Sequence, residues 1–417
     1  MKLGWTLSQR ALADHYEALA REHIAPHSEW HYKREQLDQS AWLRLADDGL
    51  WRIPVPESLG GNGLTWWDFC AAIEGITRGG RDLGFCLSLI AHAGFLRSLV
   101  DFGGPYHHEV ALPRMMSGAV GATALTEVSG GSDVASVATT AHRTDQGYKL
   151  VGTKTHITNA PVADLYWVLG RIDGLPAKRD ISVFVVERQP DNMRVGDPEH
   201  MFGNRTSPTG PISFFGLRIG ADQVLGEPGN GLRLTYATIA LDRLLYGVVG
   251  AAYLECLLRE AMTFASRRTA FGHPIADYQY VQRRITNVKL AIESTRWVSY
   301  AALASLIDGK ADASLMSSLA KLIGSEGLAG AALDIMQIFG HAGYEMGRHS
   351  RNVQDSLGTL IAGGTSDIQR KNIFTQLVKL QDRAQAPLPS FTPAAAAPNG
   401  AGKPTAVANG AAKPTAA

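Results

Sequence analysis

The sequence predicts an α+β fold: an N-terminal helical domain, a central β domain and a C-terminal four-helix bundle. Three observations predict it. Apolar residues recur at three- and four-residue spacing up to about Ser117. Between about Val120 and Gly231 the period shortens to that of strands, with Gly, Pro, Asn and Asp between the runs. From Leu232 to about Gln381 the chain returns to long helical stretches. The boundaries expected are 1–118, 119–231 and 232–384, with a tail over 385–417.

Each element follows from local pattern. Ala11, Leu12, His15, Tyr16, Leu19 and Ala20 share a helical face, as do Trp42, Leu43, Leu45, Ala46 and Leu50. Pro54, Pro56 and the run Gly60, Gly61, Asn62, Gly63 mark a loop. Trp66 to Gly79 and Leu83 to Phe102 are apolar enough to be buried helices. In the centre, Tyr148–Val151, Leu165–Leu169, Ile181–Val186 and Ile212–Phe215 are short β-rich runs. Leu232–Ser266, Tyr278–Ile307, Ala313–Phe339 and a last helix from Ser366 are long and amphipathic, and such helices pack as an antiparallel bundle. Beyond Phe391 the only large apolar residue is Val407, and 399–406 nearly repeats as 409–416. So little apolar surface predicts a disordered tail, with a tether for a partner as its functional alternative.

Composition narrows the function. Among 417 residues the net charge is +1 and 19% are charged, so no nucleic-acid partner is expected. Cys70, Cys86 and Cys256 are scattered, which suits buried thiols in a reducing compartment rather than a disulfide framework or a metal site. The N-terminus lacks the apolar run of a signal peptide. No stretch reads as the roughly 20 apolar residues of a membrane span. A cytoplasmic protein without a membrane partner is expected.

The chain is organised around Ala122 to Asn159. Its first element, Ala124 to Glu127, runs into the loop Val128, Ser129, Gly130, Gly131, Ser132, Asp133. Its second is the strand from Tyr148, reached through a hairpin and followed by Gly152 to Asn159. A strand that ends in a glycine-rich, hydroxyl-rich loop lets backbone approach an anion or a flat polar ring. No G-x-G-x-x-G is present, so any dinucleotide is not held in the Rossmann manner.

Taken together, ALTExxxGSD (124–133) and GxKxxITN (152–159) resemble the signature of the acyl-CoA dehydrogenase superfamily. The resemblance extends from about Leu12 to Leu380. Ile24, Ala25, Pro26 and the loop Pro56, Glu57, Gly60, Gly61 are similar to the family's opening, and Gly203 to Thr209 to the segment before its last strands. The resemblance implies FAD as cofactor. It implies that the Leu125 backbone and the Thr126 and Thr158 hydroxyls meet the flavin ring edge. Ser132 would lie near the pyrophosphate and the substrate's pantetheine arm, and His156 against the ring. Arg268, with Phe271 and Gln279, would contact the pyrophosphate of a neighbouring subunit's flavin, a task a forked guanidinium suits. Gln337 and Gly340 would meet the adenosine half, although His341 replaces the family's second Gly. Thr365 would lie near a phosphate, and Asp367 stands where a Gln is usual. A homotetramer or homodimer follows from such sharing, with an electron-transfer flavoprotein or another acceptor taking the electrons.

The family's reaction takes an α-proton from an acyl thioester with a carboxylate and a β-hydrogen as hydride on flavin N5. The usual Glu position, counted from Asp355 without a gap, is Gly363 here, whose backbone N–H remains to polarise a carbonyl. A minority branch similar to isovaleryl-CoA dehydrogenase carries its Glu on an earlier helix, just before an Arg. That position is Asp242, followed by Arg243, which would organise the pocket. Asp242 as base implies an acyl-CoA or acyl-carrier-protein substrate. A hydroxylase, a reductase, a carbanion reaction of the same fold, or a silent flavin-binding scaffold stays open. Glu127 and Asp133 are expected to be structural, no metal is expected, and Phe95, Leu96 and Tyr246 are expected to set pocket depth.

Overall fold

Helices α1 (Leu7–His23), α2 (Ser28–Arg34), α3 (Gln39–Asp47), α4 (Trp66–Gly80), α5 (Leu83–Phe102) and the short α6 (Leu112–Met116) open the chain in the computed structural model, which describes residues 4–177 and 179–385. Their starts are capped as the local sequence dictates. Thr6 and Gln9 form a reciprocal capping pair on α1, and Asp82 Oδ1 accepts from Phe85 N (3.0 Å) at the head of α5. Burial of Trp42, Trp51, Phe69, Phe85 and Phe95 joins these helices in one core.

Eight strands follow: β1 (Gly121–Ala124), β2 (Thr140–Thr144), β3 (Gly147–Thr158), β4 (Leu165–Ile172), β5 (Ile181–Glu187), β6 (Met193–Val195), β7 (Thr209–Gly220) and β8 (Val224–Leu225). They lie in the order β6-β7-β3-β2-β4-β5-β8, with β1 parallel to β4 in the register Gly121 to Leu165. Alternation divides the central strands between two cores. Leu165, Trp167 and Leu169 pack with the helices, whereas Tyr166, Val168 and Phe184 pack with the rest of the sheet.

The C-terminal helices are α7 (Gly231–Arg267), α8 (Gln279–Ile307), α9 (Ala313–Phe339), the single turn α10 (His341–Tyr344), α11 (Arg348–Gly358) and α12 (Ser366–Gln385). A tight hairpin of β9 (Thr269–Ala270) and β10 (His273–Pro274) joins α7 to α8.

Four expectations need correction. The first element of the 122–159 stretch is strand only to Ala124, and the hairpin there joins β2 to β3 rather than β1 to β3. The run from Tyr148 does not stop at Val151: β3 passes through Gly152 and bulges near His156. Helix α11 was not expected, because its buried face is polar. Three helices, α5, α7 and α9, are long and apolar enough to cross a membrane. In α5 and α7 that apolar window is 83% buried within the fold, so core packing accounts for it. The expectation for the tail falls outside the described residues, apart from Gln385 at the end of α12.

A buried charge cluster joins the parts. Arg351 on α11 forms ion pairs with Asp82 (2.9 Å) and Asp355 (3.1 Å), donates to Ser28 Oγ (3.0 Å), and stacks over the Tyr32 ring at 3.9 Å. Asp355 Oδ1 in turn accepts from Asn204 N (2.6 Å). Removing one partner of such a set strands charge in a dry interior. Arg351→Met is expected to lower the unfolding free energy by about 3–5 kcal/mol. Urea denaturation checks this; an unchanged midpoint refutes it.

Candidate active site

Strand β1 delivers Leu125 and Thr126 to the rim of the β domain. Thr155 N donates to Thr126 O (2.9 Å), so β3 runs beside this exit. Beneath it lies a buried ion pair. Lys154 Nζ donates to Glu127 Oε1 (2.7 Å) and Leu125 O (3.2 Å), and Glu127 also accepts from Ala138 N, Thr139 N and Thr139 Oγ1. Burial lowers the Lys154 pKa to about 8 against the pull of Glu127. Burial also works against ionised Glu127, but hydrogen bonds from Lys154 and Thr139 carry its pKa below the usual range. Glu127 is therefore structural, as expected. The loop beyond it leaves Ser132 exposed, while Asp133 Oδ1 accepts from Ala135 N (3.2 Å).

At the bulge in β3, His156 takes φ 57° and projects outward, its Nδ1 2.9 Å from Glu199. Thr158 follows, half-buried. Asn159 Nδ2 donates to Ser88 O and Gly121 O (both 3.1 Å), locking the end of β3 to α5 and β1.

Helix α5 is the wall shared by this rim and the region of Asp242. Ala91 O meets Thr123 Oγ1 (3.4 Å). One turn on, a β-carbon at Gly94 would collide with Asp242 Oδ1. That oxygen is buried with no partner. Burial pushes the Asp242 carboxyl well above the carboxylate range, with Arg243 and Arg97 opposing the shift. Arg243 is buried too, and burial lowers its pKa to about 10.

Tyr246 sits one turn after Asp242 on the same face of α7. Gly363 approaches it from the turn between α11 and α12, at φ 68°. A β-carbon there would come within 2.6 Å of Tyr246 Cε2, so the ring fills the space a side chain at 363 would need. Gln369 Nε2 donates to Gly363 O (3.1 Å) and Gly364 O (3.0 Å). Among the described residues the Gly363 N–H meets no acceptor. Thr365 Oγ1 accepts from Ile368 N (3.3 Å) at the head of α12, and Asp367 is exposed beside it. Phe95 and Leu96, expected to set pocket depth, are instead sealed in the helical core.

The remaining expected residues gather elsewhere. Arg268, exposed, ends α7; Phe271, 95% exposed, tips the following hairpin; Gln279 begins α8. An Arg284–Asp334 pair (2.6 Å) brings the C-terminal part of α9, with Gln337 and Gly340, to the same end of the bundle. Arg268 and Asp242 lie about 39 Å apart along α7 at 1.5 Å per residue.

Comparison with known proteins decides the family. Models of the acyl-CoA dehydrogenase N-terminal, middle and C-terminal domains match residues 6–119, 122–216 and 229–378, in that order. The chain belongs to the acyl-CoA dehydrogenase family. A benzylmalonyl-CoA dehydrogenase of Aromatoleum aromaticum is 31% identical over 372 residues, covering 88% of this chain and 97% of that one. Among solved structures, the prolyl acyl carrier protein oxidase AnaB superposes with a TM-score of 0.85 at 26% identity, over 90% of this chain and 100% of its own. PigA in complex with FAD gives 0.86 at 27%, over 91% and 99%.

As a family member the protein is an oxidoreductase acting on acyl thioesters, with FAD as cofactor. The rim suits that group. Thr155 Oγ1 is buried without a protein partner beside Thr126, a polar edge ready for a ring with hydrogen-bonding margins. Sequence reasoning assigned no role to Lys154, although it stands inside the motif quoted above. It also missed Arg97, whose signal was a charge in an apolar helix.

Lys154→Met leaves Glu127 buried without its cation. It is expected to destabilise the fold by about 3 kcal/mol and to release FAD more readily. The flavin-to-protein ratio after gel filtration and the thermal midpoint check both; no change in either rejects the clamp.

Proposed function

We propose that the protein dehydrogenates an acyl thioester, carried on CoA or on an acyl carrier protein, with Asp242 as the base that takes the α-proton. The observation that carries this is the buried, unpartnered Asp242 Oδ1 beside Tyr246, together with Gly363, where that ring leaves no room for a glutamate. Desolvation makes this carboxylate more basic than one in water. The Gly363 N–H donates to the thioester carbonyl and offsets the charge that grows as the proton leaves. Arg243 supplies a fixed positive charge behind Asp242. FAD, when bound, would supply the hydride acceptor for the β-hydrogen.

The chain's own groups orient that flavin. Leu125 backbone, Thr126 and Thr158 would meet the ring edge, His156 the ring face, and Ser132 the pyrophosphate and pantetheine. Thr365 and Asp367 present the head of α12 to phosphate. Arg268, about 39 Å from Asp242 along α7, shares its end of the bundle with Phe271, Gln279, Gln337 and Gly340, and that separation supports their reaching a neighbouring subunit's flavin in a homotetramer or homodimer. The fully exposed Phe271 supports this. An electron-transfer flavoprotein is the acceptor proposed. The names of the Aromatoleum relative and of AnaB support CoA and carrier protein respectively.

Anaerobic titration with acyl-CoA and acyl-carrier thioesters should bleach the flavin band, and Asp242→Asn should slow bleaching by about 10²–10⁴-fold. Bleaching that survives in the Asn variant names the wrong base. No bleaching with any thioester points to another reaction of the fold or to a silent flavoprotein.

The pH dependence has a defined sign. Asp242 works deprotonated, so the bleaching rate should rise with pH through a pKa well above the ordinary carboxylate range. The folded state also holds this proton more tightly than the unfolded chain. Its contribution to stability is therefore full below the ordinary Asp pKa and lost as pH climbs through the raised one. Asp242→Asn should remove both dependences; a rate limb at the ordinary Asp pKa contradicts the assignment.

Subunit sharing has its own test. Arg268→Ala and Asp242→Asn chains, each impaired alone, should recover activity when co-expressed as mixed oligomers. No recovery places both residues at one site.

A further inference from the structure

Helix α5 carries two charged side chains, Arg97 and Asp101. Its buried face carries Leu89, Ala93, Leu96 and Leu99, an apolar stripe packed in the helical core. Arg97 departs from that pattern. Its side chain is 15% exposed, its Nε lies 3.1 Å from Asp101 Oδ2, and its Nη1 is buried with no partner. A guanidinium has five donors in a rigid fork, and one left unmet in a dry site is costly.

The placement makes the free donor informative. Arg97 stands one turn after Gly94, the residue pressed against Asp242. Its charge acts on Asp242, yet the two make no ion-pair contact. A guanidinium present only to neutralise Asp242 would close on it. Asp101, one turn along the same helix, instead holds Arg97 by Nε and leaves the other end of the fork open.

The electrostatics around Asp242 agree. Arg97 and Arg243 are the charges that act on Asp242, and Arg97 is the one charge that acts on Asp101. With the Asp242 carboxyl held above the carboxylate range, the open end of the Arg97 fork has no anion against it.

We propose that Arg97 is a specificity-determining residue that binds a carboxylate on the acyl group, so that the preferred substrate is the half-thioester of a dicarboxylic acid. This rests on the reading that places the acyl group beside Asp242. Neutral acyl chains leave the fork unsatisfied, and acyl groups bearing an ammonium are repelled by it.

The test measures affinity separately from chemistry. Succinyl-CoA, glutaryl-CoA, butyryl-CoA and β-alanyl-CoA are titrated anaerobically into the FAD-loaded protein. Perturbation of the flavin spectrum gives Kd, and bleaching is recorded alongside. The wild type should bind succinyl- or glutaryl-CoA about 30-fold or more tightly than butyryl-CoA, the lower range for loss of one partner of a buried charge pair. Arg97→Met should erase that preference while keeping butyryl-CoA binding, and Arg97→Lys should restore part of it.

Equal affinity of the wild type for butyryl-CoA and the diacid thioesters overturns the proposal. So does an Arg97→Met variant that loses all four ligands equally, because that pattern belongs to a residue that merely supports Asp242 or the fold. Bleaching without charge preference sinks this inference alone. Charge-selective, Arg97-dependent binding without bleaching keeps it and sinks the dehydrogenase reading.

Discussion

A single guanidinium sits where four segments meet. Arg351 joins α2 through Ser28, the head of α5 through Asp82, and α11 through Asp355, which in turn receives the loop before β7 through Asn204 N. Each carboxylate does two jobs: Asp82 also caps α5, and Asp355 also holds that loop. Ions buried in a dry seam tolerate little displacement, because each loses its partner before it regains water. The seam therefore sets where α5 begins and where α11 ends. Those two positions decide whether Gly94 and Arg97 face Asp242, and whether the turn carrying Gly363 reaches Tyr246.

The same physics acts in reverse at Asp242. Here the fold leaves a carboxylate oxygen without a partner and surrounds it with an aromatic ring, a glycine face and cations that do not touch it. Desolvation that would be a liability for an ion in the core makes this carboxylate more basic. Gly363 belongs to that arrangement. Its carbonyl is tied to Gln369 and its β-position is filled by the Tyr246 ring, so only its N–H is available. The rim beside Thr126 uses the complementary solution, in which Lys154 and Glu127 pair with each other and find their remaining partners in Leu125 O, Ala138 N and Thr139.

Much of the fold was legible in the chain. The starts and ends of α4, α5, α7, α8 and α9 fall within two residues of those expected from apolar period, because long helices in a packed core repeat the same face many times. Short elements carried less signal. β1 spans only Gly121–Ala124 and pairs in parallel with β4, a partner more than forty positions away that no local pattern names. Helix α11 buries Arg351, Asn352, Asp355 and Ser356, so its inward face has no apolar stripe to read. The apolar composition of α5 and α7 described core burial, and composition alone does not distinguish that from a membrane span.

The sequence by itself determined the order of helices, sheet and helices and the family, and it singled out Gly363 and Asp242 as the positions proposed to depart from the common pattern. Those are properties of residue type and spacing, which a linear chain displays directly. Only the tertiary structure decided what surrounds the departures. Arg97, Gly94, Asp242 and Gly363 come from α5, α7 and the turn after α11, and their meaning lies in which polar atoms remain unpaired once these segments pack. A guanidinium nitrogen and a carboxylate oxygen left without partners are facts about desolvation, and desolvation exists only after folding has removed the water.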